Sequence, residues 1–113
     1  MHVFDLAEYR ATSPDGFTKR VFQQSPRGLV FTLTFTPGQA LPPHAHGESE
    51  LLVTALQGTG DATVDGRKVP IAAGTLLHCE GRETFSLQNS GDGPLSVLVV
   101  LYPGEPRFAQ DVR

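Results

Sequence analysis

Residues 28–38, GLVFTLTFTPG, decide how the chain is to be read. Leu29, Phe31, Leu33 and Phe35 fall on one side of a strict alternation and Val30, Thr32, Thr34 and Thr36 on the other, the period of two expected of a half-buried strand. Pro37-Gly38 ends it, since proline removes a ladder donor and glycine permits a turn. The same pattern recurs outward from this point. ELLVTALQG (50–58) and DATVDGRKVPI (61–71) are strand-like, the second folded at Asp65-Gly66, a dipeptide suited to a two-residue hairpin because both positions tolerate positive φ. TLLHC, TFSLQN and LSVLVVLY follow, separated by EGRE and SGDGP. HVF and FTKRVFQQ, within residues 1–28, are candidate edge strands, 29–103 form the body of the fold, and 104–113 read as a tail.

Twelve glycines and nine prolines in 113 residues, with no long stretch of helical period, agree with many short strands and tight turns. The expectation is a single all-β domain, an antiparallel sandwich or barrel, with closure favoured because open sheets leave edges to protect. A chain of this length buries roughly 65% of its unfolded surface, enough for a core. Net charge is −3, and no run of Lys or Arg exceeds two, so no nucleic-acid partner is expected. LSVLVVLY is far shorter than a membrane-spanning helix, and no membrane partner is expected either. The first ten residues lack a basic flank and carry Asp5 and Glu8, unlike a signal peptide, and Cys79 is the single cysteine. A reducing cytoplasm is the expected location.

The chemistry concentrates in PPHAHGESE (42–50). His44 and His46, two apart in extended chain, project from one face about 7 Å apart at Cα. Two imidazoles so placed can converge on one ion at about 2.1 Å. With Glu50 they form a two-histidine, one-carboxylate set suited to Fe, Mn or Zn. The plainer reading is a polar strand end that happens to carry imidazoles.

The surrounding residues resemble the cupin family. GQALPPHAHGESELLVTALQG (38–58) is similar to its first motif: a glycine, five residues, His-x-His, three or four residues, Glu, and a closing glycine. GRKVPIAAGTLLHCEGRETFSLQN (66–89) can be laid on the second. The resemblance implies a jelly-roll, or double-stranded β-helix, barrel, a homodimer, an internal cavity and a divalent metal (Fe, Mn, Ni or Zn). It implies no particular reaction, because the fold hosts enzymes, storage proteins and sensory domains.

Two departures matter. Counting back from Asn89, the family's last metal histidine falls on Phe85, an apolar ring. Glu50 also lies one residue out of the register set by Gly58, which would give Leu51 the ligand position; a β-bulge absorbing the extra residue would return Glu50 to the interior, and that is the expectation here. His78 and Cys79 are adjacent on a strand, so only one faces inward; His78 there would replace the missing histidine, whereas Cys79 would be a small buried apolar residue. The expected site is thus His44, His46, Glu50 and His78 as metal ligands, in a pocket walled by Phe31, Leu33, Phe35 and Phe85 that accepts a small molecule. Two functions stand open: a metal-dependent enzyme, with the ion as Lewis acid or oxygen-binding centre, and a non-catalytic ligand-binding or sensory barrel that has lost part of the metal site. A purely structural dimer is a third.

Overall fold

A computed structural model describes residues 1–104. After a short 3₁₀ turn at Leu6–Glu8 come nine strands: β1 (Thr18–Ser25), β2 (Gly28–Phe35), β3 (Ala40–His44), β4 (Ser49–Gln57), β5 (Thr59–Val64), β6 (Arg67–Ala72), β7 (Leu76–Cys79), β8 (Phe85–Asn89) and β9 (Leu95–Pro103). They form two antiparallel sheets, one in the order β1-β2-β9-β4-β7 and the other β3-β8-β5-β6. This is the expected all-β jelly roll. No helix among the described residues is long and apolar enough to cross a membrane.

The core lies between the sheets. Phe31, Leu33 and Phe35 of β2 meet Leu95, Val97 and Val99 of β9, Leu51, Val53 and Ala55 of β4, and Phe85 and Leu87 of β8, all buried. The other face of β2 departs from the half-buried expectation, because Thr32 and Thr34 are buried too. Thr34 lies opposite Ser96, and their hydroxyls share a 3.3 Å hydrogen bond that compensates the desolvation of both.

The turns follow their residues. Asp65 and Gly66 both have positive φ (49° and 80°) and join β5 to β6. Asn89 is buried and acts as a brace: its side-chain amide donates to the carbonyls of Phe35 (3.0 Å) and Gly93 (2.9 Å), and its Oδ1 accepts from the Gly91 N–H (2.9 Å). One side chain thereby ties the end of β2 to the loop between β8 and β9.

The segment FTKRVFQQ supplies β1, at the edge of the five-stranded sheet, whereas HVF forms no strand. Gly104 donates its N–H to the Glu48 carbonyl (2.9 Å). The rest of the expected tail, residues 105–113, lies outside the described residues.

Candidate functional site

β3 delivers the first histidine through an irregularity that its sequence imposes. Pro42 and Pro43 have no N–H to give the β3–β8 ladder, and the register shifts between Leu41, opposite Leu87, and His44, opposite Phe85. Leu41 and His44 are three residues apart, which in a regular strand would put them on opposite faces. The shift brings both to one cavity between the sheets. His44 Nδ1 lies 2.8 Å from the Pro42 carbonyl, which can only accept, so Nδ1 carries the hydrogen and the ring is oriented from within its own strand.

His46 follows just beyond the strand. Its N–H donates to the Gly81 carbonyl (2.8 Å), and its own carbonyl accepts from Ser49 (3.2 Å) across a turn in which Gly47 has φ 65°. The two imidazoles meet edge to face, with ring centroids 4.5 Å apart. Burial, and secondarily the neighbouring His44, hold the His46 imidazole below its ordinary pKa range, favouring the neutral ring.

Gly81 fixes this geometry by close approach. A Cβ on residue 81 would run into the backbone carbonyl oxygens of Gly47 and Ser49, neither of which can swing aside as a side chain can. Gly81→Ala is therefore expected to lower stability by about 1–3 kcal/mol, as overpacking does, and to move the His46 amide resonance. Gly93→Ala, where an added Cβ meets nothing within 4 Å, is the control and should do neither. Urea denaturation and an amide NMR spectrum of each variant measure both effects.

β4 decides the third expected ligand. Leu51, Val53 and Ala55 face the core, leaving Glu50 on the opposite face with Leu52. A bulge does interrupt β4 against β9, between Ala55 and Gln57, but Leu51 keeps the inward position all the same. The reason is the cost of the alternative, which would bury the Glu50 carboxylate and the Thr54 hydroxyl and expose Val53. Glu50 instead accepts a hydrogen bond from His78 Nε2 (2.7 Å), β7 running beside β4 with His78 opposite Leu52. The expectation that Glu50 and His78 join His44 and His46 is thus corrected: they pair with each other on the outer face.

Cys79 takes the inward position on β7, 1% exposed and opposite Leu51. Burial first, then the charges of Glu83 and Asp65, push its thiol pKa up to about 11, so it is a protonated core residue rather than a thiolate ligand. EGRE forms a turn in which the exposed Arg82 pairs with the exposed Glu80 at 2.7 Å and the Glu83 carboxylate caps the Glu80 N–H at 2.8 Å, with Gly81 buried between them.

The cavity that holds the histidines has a volume of about 320 Å³. Of the four expected wall residues, Phe31, Leu33 and Phe85 line it; Phe35 does not. Phe35 is fully buried deeper in the core, its ring 5.3 Å from that of Phe17. Five lining residues were not anticipated: Phe17, Leu41, Val99, Leu101 and Lys19. Lys19 stands on β1 opposite Leu33, so its side chain shares the inward face, and its Nζ lies 4.5 Å from the Phe31 ring centroid. The alternation of Lys19 with Val21 was the available signal, obscured by the bulge between Val21 and Gln23.

This donor set does not fit a divalent ion. Protein Zn and Fe sites draw on three or four protein ligands. Beside the two imidazoles, the inward position of β4 carries Leu51, and the position that the family resemblance assigns to the last His carries Phe85, 1% and 2% exposed. Among the described residues no group of three His, Cys, Asp or Glu is placed to hold a metal. Two imidazoles above an apolar floor can donate and accept hydrogen bonds and offer an aromatic edge to a small organic molecule.

Fold and cavity together define a small single-domain cupin. The cupin domain family matches residues 31–101, and the chain belongs to it. Solved structures agree. A protein of Thermus thermophilus is 27% identical, with a TM-score of 0.86 over 93% of this chain and 100% of its own. An RmlC-like cupin from Desulfovibrio desulfuricans is also 27% identical, with a TM-score of 0.83 over 93% of this chain and 99% of its own. A Klebsiella pneumoniae protein with a double-stranded β-helix domain shares the fold at 22% identity, with a TM-score of 0.84 over 93% and 92% of the two chains. No curated protein matches the sequence.

Proposed function

We propose that this cupin is a small-molecule-binding barrel whose cavity takes an organic ligand against apolar walls, with His44 and His46 as its polar contacts. One observation carries the reading: Leu51 and Phe85 are buried beside the histidine pair while Glu50 faces the other way. Apolar residues at those two positions cost the site its metal donors and supply the contact area that a small ligand needs, as in binding clefts of similar volume. A metal-dependent enzyme would require a third inward donor, and the binding barrel requires only the cavity. The single buried Cys79 suits a reducing cytoplasm, and family membership supports a homodimer.

A variant that fills the cavity tests this. Val99 lines it and is buried. Val99→Phe would project the larger ring into open space rather than into packed core, so it should fold with a stability loss within about 1–3 kcal/mol. Titration of the wild type with 4-isopropylbenzyl alcohol should shift amide resonances of Leu51, Phe85 and Val99. Val99→Phe should abolish those shifts. Shifts confined to the outer face, or equal in wild type and variant, would contradict the proposal.

A further inference from the structure

The cavity is chemically one-sided. Its floor is formed by the buried side chains of Phe31, Leu33, Leu51, Phe85 and Val99. Its polar groups are Lys19, His44 and His46, of which Lys19 and His44 are exposed and His46 half-buried, so they stand toward solvent and the apolar groups lie beneath. Among the described residues no acidic side chain lines it. That bias runs against the composition of the chain, which has 12 acidic residues against 9 Lys and Arg.

Lys19 is the informative member. Its ammonium lies over the Phe31 ring, and among the described residues it forms no salt bridge. Of the two carboxylates that follow the histidines, Glu48 is exposed and lies with Glu50 outside the cavity, and Glu50 is committed to His78 on the other face. A cation held above an apolar floor, with no counter-charge among the described residues, projects its field into the cavity and favours an anion there. A phosphate would call for Arg forks or a nest of backbone N–H groups, and among the described residues neither Arg nor Gly lines the cavity. One ammonium with imidazoles matches a single carboxylate, and the rings of Phe17, Phe31 and Phe85 match a flat apolar body.

Resting on the proposal that the cavity binds a small organic molecule, we infer that its ligand is an aromatic carboxylate. The ring lies against the Phe-lined floor, and the carboxylate is held by Lys19 at the mouth.

Three probes of one shape separate the terms: 4-isopropylbenzoate, its primary amide and 4-isopropylbenzylamine, each titrated into the full chain by calorimetry at low salt and neutral pH. The carboxylate should bind roughly tenfold tighter than the amide, the size of one charge-assisted hydrogen bond, and the amine weakest. Lys19→Met keeps the stem over Phe31 without the charge. It should bring the carboxylate down to the affinity of the amide and leave the amide unchanged. Lys19→Glu should invert the order in favour of the amine, with circular dichroism confirming that both variants fold. Amide and carboxylate binding equally, or a preference that survives in Lys19→Met, would overturn the carboxylate assignment while leaving the cavity reading intact. Failure of all three probes to bind would overturn both.

Discussion

Leu51→Glu combined with Phe85→His should turn this barrel into a metal protein. Leu51 and Phe85 both line the cavity that His44 and His46 enter, and Phe85 stands directly opposite His44 in the β3–β8 ladder. The double variant would therefore present three imidazoles and a carboxylate from inward-facing positions, a set adequate for Zn or Ni. Affinity for Zn(II) should rise by roughly a hundredfold or more over wild type, since ligand number and deprotonated donors dominate metal binding. The single Leu51→Glu variant supplies the internal control. It places a carboxylate on the apolar floor, at a buried position with no hydrogen-bonded counter-ion and with the Lys19 ammonium only at the mouth, so stability should drop by about 3–5 kcal/mol, and the carboxyl pKa should rise. Zn(II) should restore stability to the double variant and much less to the single one. Thermal melts with and without metal read both effects. If the double variant binds no better than wild type, the inward assignment of residues 51 and 85 is wrong.

Phe35→Ala should be the most damaging simple truncation. The side chain is 0% exposed, lies opposite Leu95, and packs its ring against Phe17. Removing a buried phenyl group leaves a cavity that close-packed neighbours fill only in part, at a cost of about 3–5 kcal/mol. For a domain of this size that is a fall of roughly 10–25 °C in melting temperature. The same substitution distinguishes core from wall. Phe35 does not line the ligand cavity whereas Phe31 does, so the folded fraction of Phe35→Ala should bind 4-isopropylbenzyl alcohol as wild type does, and Phe31→Ala should bind it weakly. Equal loss of affinity in both would place Phe35 in the site after all.

The strands were legible wherever one period dominated. GLVFTLTF, DATV and the Asp65-Gly66 hairpin could be read directly because alternation and turn chemistry are local properties. β3 was not legible as a strand, because its Pro pair removes ladder donors and its regularity comes from pairing with β8, far along the chain. The histidine pair could be located, but its company could not. In SELLVTALQ both alternations are largely apolar, Leu51-Val53-Ala55 and Leu52-Thr54-Leu56, so hydrophobicity alone barely separates them. What separates them is the penalty for burying the Glu50 carboxylate and the partner that His78 offers outside, a contact across 28 residues. The motif spacing pointed to Glu50, and the physical cost of charge burial placed Leu51. Lys19 escaped notice for a related reason, since a lysine on an edge strand reads as a solvated charge until the strand is seen to overhang a cavity.

In this structure the histidine pair serves the proposed organic-ligand cavity without a third inward donor for a metal. The measurement that decides this is the metal content of the wild-type chain after loading in turn with Fe(II), Mn(II), Ni(II) and Zn(II) and dialysis against metal-free buffer, beside that of His44→Ala/His46→Ala. Both proteins should retain far less than one equivalent of every metal. Near one equivalent retained by the wild type and lost in the double variant would contradict this reading.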